Sequence, residues 1–424
     1  MKNKSLSLIL LFGLFACQEI PDAADVNSDM EKSIGYIAKD PEYEKQLKSL
    51  SLFIGEVFKD KGARDELFSF SKLEGNQGEV EYSLAKLFEE NIDPLSRRKS
   101  AIVDAFYRGA KSKTFSSGGQ KVEDMVDFIK ENNIGVIAPY MAENFESGDI
   151  SELTVSWWSQ DYEDWNLALD STWKGETEAA LVDLGSEIPL FEEDENNQNT
   201  ILVSDEYAKK NPTLVLGAFD YLDEDESVQS KTKRDENAAT QAYVNSANCS
   251  QLVPTSLVKL MMPEFQLTNS IRAWPHPDRL KLLIVLGTNP GGSGYSNTIF
   301  DQEVKRKDTG KWLTAPVSFL INSWADHQVD MAMVLFNKKP RNSDGVQVTT
   351  VIKINSSGQT ETQVTTVGNF SDYQLHFKQT FNKCGTINDP FSNRGFGQRS
   401  SAGVNYGVER FGKFMFYLKP QIQL

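Results

Sequence analysis

Ile134-Gly135-Val136-Ile137-Ala138-Pro139-Tyr140 is the stretch at which this chain changes its period. Before it, apolar residues recur at helical spacing; after it, they gather in short β-branched and aromatic runs. Working back, Asp40-Pro41 reads as a helix start, because proline in the first turn forfeits no hydrogen bond. Tyr43, Leu47, Leu50, Ile54, Val57 and Phe58 then stripe one face, and Gly62 ends the run. Leu67, Phe68 and Phe70 mark a second helix. Val80, Leu84, Leu87 and Phe88 mark a third, stopped before Asp93-Pro94. Ile102, Val103, Phe106 and Tyr107 mark a fourth. Beyond a Ser116–Gly119 loop, Val122, Met125, Val126 and Ile129 mark a fifth. One-faced stripes of this kind predict helices packed on a shared core.

Working forward, the spacing predicts strands over Ile134–Tyr140, Leu153–Trp158, Ala179–Leu184, Ile201–Ser204 and Thr213–Phe219, parted by acidic loops. Residues 30–228 are thus expected to form an acidic α+β domain, a helical block packed on a small, mostly antiparallel sheet. Residues 229–250 are polar and read as a linker. Residues 251–424 read as all-β. Leu280–Gly287, Val317–Ile321, Val329–Leu335, Tyr373–Phe381 and Phe411–Leu418 are strands, and Val346–Ile354 turns through Asn355–Gly358 into Thr360–Val367 as a hairpin. Seven or eight strands without a long helix predict a sandwich or jelly roll.

Charge marks the same boundary. Of the 44 Lys and Arg and 60 Asp and Glu in the chain, residues 251–424 hold 19 and 12, which leaves 25 and 48 in residues 1–250. A basic half follows an acidic one, so the two halves attract and are expected to dock. A hydrophobic share of 39% is enough to build cores and excludes a disordered chain.

The amino terminus carries a separate message. Lys2 and Lys4 precede a mostly apolar run from Ser5 to Ala16, too short to span a bilayer, and Leu14-Phe15-Ala16-Cys17 closes it. This stretch resembles the lipobox of bacterial lipoproteins. The resemblance covers the first 17 residues and implies cleavage before Cys17 and acylation of that cysteine. Residues 1–16 would then be a signal peptide, 17–29 a lipidated tether, and the membrane a partner through the lipid. The acidic run Gln18–Asp25 is similar to tethers of lipoproteins exposed at the outer membrane surface, which points to the cell envelope. With Cys17 lipidated, Cys249 and Cys384 remain. They either bridge, closing a long loop, or stay as two buried thiols.

No catalytic motif emerges. Ser293 lies in the glycine-rich loop Thr288–Gly294, but Tyr295 stands where a nucleophile elbow needs glycine, and the Lys-Ser/Thr of a phosphate loop is missing. His276, His327 and His376 have no metal-ligand spacing, and neither Cys249 nor Cys384 has a zinc-type neighbour. Asp220, Asp223, Glu224, Asp225 and Glu226 lack the glycine and distal glutamate of a calcium loop, and read as a solvated turn. No basic-aromatic array suggests nucleic acid. The best local candidate for ligand binding is Trp157, Trp158, Asp161, Asp164 and Trp165, with Glu163 and Trp173 beside them. Aromatic faces next to carboxylates suit a glycan, or a glycosidase pair. The expectation is a binding or interaction module without cofactor or metal, for a glycan or an envelope protein; a secreted hydrolase and a structural envelope component are the alternatives.

Overall fold

The computed structural model describes residues 40–111, 121–159, 162–186, 200–219, 248–288, 295–317, 319–339, 346–370 and 372–423. The expected signal, tether and Cys17, most of the expected linker, Asp161, Ser293 and the acidic turn at 220–226 lie outside these residues.

Among the described residues five helices come first: α1 (Pro41–Val57), α2 (Lys61–Ser69), α3 (Leu84–Glu90), α4 (Ala101–Lys111) and α5 (Val122–Glu131). The Asp40 side chain caps α1 by accepting from the Glu42 and Tyr43 N–H groups, as the Asp-Pro start predicts. Two details differ from expectation. α1 stops at Val57, and Gly62 falls inside α2, capped by Asp60. Val80 belongs to a strand, β1 (Val80–Ser83), and α3 starts only after the Ser83 side chain caps it. Val80 and Leu84 have helical spacing, but β1 finds a partner strand, and tertiary pairing outweighs local propensity.

The remaining strands of this half are β2 (Ile134–Ala138), β3 (Glu152–Trp158), β4 (Thr177–Asp183), β5 (Ile201–Val203) and β6 (Thr213–Ala218). Short helices α6 (Met141–Asn144), α7 (Tyr162–Leu169) and α8 (Asp205–Ala208) connect them. The sheet order is β1-β2-β6-β3-β4-β5, antiparallel except for the parallel β3–β6 pair. α1 to α5 bury one face of it: Leu47, Ile54, Phe106 and Ile129 share a core with Val136, Val155, Trp157, Val182 and Leu214. α1 lies so close that a Cβ on Gly55 would meet Val182 Cγ2 at 2.8 Å.

The second half is built on β9 (Asp278–Leu286), after β7 (Leu257–Met261) and β8 (Glu264–Leu267). β10 (Tyr295–Val304), β11 (Leu313–Thr314), β12 (Asp330–Lys338), the hairpin β13 (Val346–Ser356) and β14 (Gln359–Phe370), and β15 (Tyr373–Asn382) follow. After α9 (Lys383–Asn388) come β16 (Gln398–Ser401), β17 (Val404–Phe411), β18 (Phe414–Tyr417) and β19 (Lys419–Gln423). A four-stranded sheet, β10-β9-β12-β15, and a five-stranded one, β11-β8-β18-β17-β16, are both antiparallel.

Alternate residues of β9 and β12 serve two cores. Leu282, Ile284, Met331 and Met333 pack with Phe265, Phe414 and Phe416 of the five-stranded sheet. Leu283, Val285, Ala332 and Val334 pack beneath Val348, Ile352 and Val367 of the hairpin. Burial on both faces is why Leu282–Leu286 reads as an unbroken apolar run. The expected α+β class holds, with a helical block on a mostly antiparallel sheet followed by packed antiparallel sheets. The hairpin forms a third layer that the sandwich expectation did not contain. The ten-residue β10, most of β17 and the shorter β7, β8, β11, β16 and β19 lie outside the expected strands, and the expected Phe411–Leu418 is the end of β17, a turn and β18. Val317–Ile321, expected as a strand, contributes an isolated bridge of Ile321 to Leu260.

Cys249 and Cys384 are joined by a disulfide with a Cα–Cα distance of 5.2 Å, and the Cys249 N–H donates to Asn388 Oδ1 at 2.6 Å. The bridge fixes the start of the second half to α9. Among the described residues no helix is long and apolar enough to cross a membrane.

Candidate functional site

The second face of the six-stranded sheet meets the second half of the chain, and a set of buried charged residues converges there. Trp157 and Trp158 end β3 and point to opposite faces, as neighbours on a strand must. Trp157, 1% exposed, lies in the helical core with Lys48 Nζ 5.2 Å from its ring centre. Trp158, 4% exposed, lies at the seam, edge-on to Tyr162 at 4.7 Å and to His276 at 5.1 Å.

Glu163, on α7, holds Arg272 by a buried ion pair and accepts the Ala273 N–H at 3.0 Å. Burial alone would raise its pKa. The Arg272 guanidinium and these hydrogen bonds outweigh burial and hold the carboxyl at about 2. Asp164 pairs with Lys339. Trp165 is 40% exposed on the outer side of α7. Of the expected glycan platform, Trp157 and Trp158 are buried, Asp164 pairs with Lys339, Trp165 stays exposed, and Asp161 lies outside the described residues. Trp158, Glu163 and Asp164 form a joint with His276, Arg272 and Lys339.

A denser cluster centres on Lys305, which is fully buried at the end of β10. Its Nζ donates to Glu81 Oε2 at 2.8 Å and pairs with Glu303, which also receives Arg279 Nε at 2.6 Å. Glu79, beside β1, accepts the Lys307 N–H at 3.1 Å. Glu79 Oε2 and Glu81 Oε1 are buried with no hydrogen-bond partner among the described residues. Burial and then the Glu81 charge push Glu79 up to about 8, against the pull of Lys305. Three carboxylates thus face two cations, and a proton on Glu79 closes the balance at neutral pH.

Next to it Arg306 donates to Asp205 Oδ1 at 3.0 Å and to the carbonyls of Arg272 and His276. Asp205 also accepts from Tyr140 at 2.9 Å. Burial would raise Asp205, but Arg306 and Lys209 hold it low. Gly175, at φ +107°, admits the Trp274 backbone, whose N–H donates to the Lys174 carbonyl at 3.0 Å.

The histidines do not converge. His276 sits in the seam between Trp158 and Phe219, and burial drives its pKa well down. His376 accepts the Lys413 N–H at 3.2 Å, and burial then the Lys413 charge lower it to about 4. The His327 carbonyl bonds Asn355 at the hairpin base. Among the described residues no group of His, Cys, Asp and Glu is placed to hold a metal ion.

No known protein family matches this chain, and no curated protein does. The seam is accordingly read from its own chemistry. Its buried cations are paired with carboxylates, an arrangement suited to cohesion and proton uptake. Sequence reading did not single out Arg272, Lys305, Arg306, Glu79 or Glu81. Two signals were present: the basic run Lys305-Arg306-Lys307 after a strand, and Glu79 and Glu81 alternating with apolar residues.

Proposed function

We propose that this chain is an exported envelope protein, anchored by acyl chains on Cys17, whose folded body is a non-enzymatic binding or interaction module. Its membrane contact is the lipid: two or more chains hold stably at about 0.8 kcal/mol per buried methylene. Its site is the outer membrane, on the periplasmic or the surface face, and its partner is a glycan or an envelope protein. Placement rests on the stretch Leu14–Cys17. The observation that carries the binding-module reading over a hydrolase is the burial of Trp157 in the helical core and of Trp158 and Glu163 in the seam. A polysaccharide hydrolase needs an aromatic floor with two facing carboxylates open to its chain, and this set is closed. A structural envelope component is the second reading, favoured by ion pairs that join the oppositely charged halves.

Intact-mass analysis of protein from its native cells tests the anchor. The expected mass lacks residues 1–16 and carries acyl chains on Cys17; an unmodified residue 17 overturns the placement. Cross-linking on intact cells, followed by identification of the attached polymer or protein, tests the module. Failure to recover any envelope glycan or protein counts against it.

A further inference from the structure

The seam is built differently from the halves it joins. The helical core keeps to the first half, and the two cores on either face of β9 and β12 keep to the second. Ion pairs cross the seam, and in Glu81–Lys305, Asp205–Arg306, Glu163–Arg272 and Asp164–Lys339 the first half supplies the carboxylate and the second the cation. Trp158 and Phe219 add edge-on contacts to His276. Around Lys305 the charges do not match. Glu79 and Glu81, at the start of β1, and Glu303 of β10 face Lys305 and Arg279, and both first-half carboxylates are buried, 1% and 4% exposed. The neighbouring groups are engaged elsewhere. Arg306 and the Tyr140 hydroxyl both donate to Asp205, and Lys307 gives Glu79 its N–H while its ammonium lies against Gly78. Three buried carboxylates against two cations leave one charge without an offset, and a proton removes it.

We propose that the seam is a proton latch: closed, it holds one proton on the Glu79–Glu81 pair, and parting of the halves releases it, so the halves part more often as pH rises through neutrality while each stays folded. Burial and then the Glu81 charge hold Glu79 at about 8, against 4.5 once exposed. Opening therefore releases a proton between those values and is favoured by up to about tenfold per pH unit. Glu81, pushed up by burial, adds in the same direction. His276 acts the other way. Burial, with Arg272, Arg306 and Arg279 nearby, keeps it neutral against the pull of Glu163; exposure returns it to 6.5, so opening takes up a proton below that value. Release and uptake offset each other below about pH 6.5. Above it release wins, and the open population is expected to grow roughly tenfold from pH 6.5 to pH 8. Glu163 and Asp205, both held low by their cations against burial, act only on the acid side.

The test is hydrogen exchange of the full chain in mild detergent, read by fragment mass spectrometry and expressed as protection, which divides out the intrinsic rate of each amide. The amides bonded across the seam are those of Ala273, to Glu163, of Trp274, to the Lys174 carbonyl, and of Lys307, to Glu79. At every pH they are expected to be less protected, by about tenfold or more, than those of Leu283 and Val285 in β9. Between pH 6.5 and pH 8 they are expected to lose roughly a further tenfold. Glu79→Gln, which fixes the neutral form, is expected to abolish that loss. Seam amides as well protected as those of β9 would mean that the halves part only when the whole chain unfolds. That result, level protection from pH 6.5 to pH 8 in the parent chain, or the same loss in Glu79→Gln overturns the proposal.

Discussion

Replacing Lys305 by methionine keeps most of the side-chain volume and removes the charge on which the seam converges. The Lys305–Glu81 contact at 2.8 Å is worth about 6 kcal/mol of gross attraction at an effective dielectric of about 20. Desolvation of both ions takes back much of that, so the net value of the pair is small. Deletion of one partner is different, because Glu81 and Glu303 remain buried and only Arg279 still offsets them. An uncompensated buried charge costs roughly 3–5 kcal/mol. That range is the expected loss for Lys305→Met at pH 8. It shrinks as pH falls, since Glu81 then takes up a proton and the stranded charge disappears. The assay is urea unfolding followed by tryptophan fluorescence at pH 8 and at pH 5.5, with the disulfide intact. Two controls bracket the result. Adding Glu81→Gln to Lys305→Met is expected to restore part of the loss, because it removes the stranded carboxylate. Lys61→Ala, which breaks an exposed pair with Asp65, is expected to stay within about 0.5 kcal/mol. A Lys305→Met protein within about 1 kcal/mol of the parent at pH 8, or one whose deficit is the same at both pH values, would show that the cluster does not hold the halves together.

Glu79→Gln is expected to flatten a pH dependence. With a folded pKa of about 8 against 4.5 unfolded, the unfolded chain loses this proton first, so its contribution falls as pH rises from about 4.5 to 8, by at most roughly 1.4 kcal/mol per pH unit. Urea midpoints between pH 5 and pH 9 check this. Glu163 works in the other direction: its carboxyl is held at about 2, so the stability it contributes is present above about 4.5 and lost as pH falls toward 2. Glu163→Gln should therefore blunt acid unfolding, read as tryptophan fluorescence against pH. Gly175→Ala sets a Cβ against the Trp274 backbone at φ +107° and is expected to cost more than about 1 kcal/mol, seen as a lower thermal midpoint. The Cys249→Ser, Cys384→Ser pair opens a loop with a sequence separation of 135 and is expected to lose up to about 5 kcal/mol in the chain-entropy account. Scanning calorimetry of the parent and the double variant measures it.

The helices and strands near Ile134 were legible because each carries a one-sided pattern. Leu47, Leu50 and Ile54 recur every three or four positions, and Gln347–Ser356 alternates exposed and buried at every residue. β1 was misread because Val80, Leu84, Leu87 and Phe88 satisfy a helical template across an actual strand-to-helix switch. β8, β11 and β16 are too short to show any period. The tryptophan–acid cluster was visible in the sequence, but the burial of Trp157 and Trp158 was not. Composition around Trp157 and Trp158 is the same whether the rings face solvent or a second layer.

The sequence by itself determined the α+β class, the opposite charge of the two halves and the two cysteines left to pair once Cys17 is set aside, since periodicity, composition and count are local properties of a chain. Tertiary structure alone decided that Glu81 meets Lys305, that Glu163 meets Arg272 and that Leu282 and Leu283 belong to different cores. Partners separated by more than 100 residues leave no mark on one another in the sequence. They are selected only when folding brings a carboxylate and a cation into the same water-free space, where neither is tolerated alone.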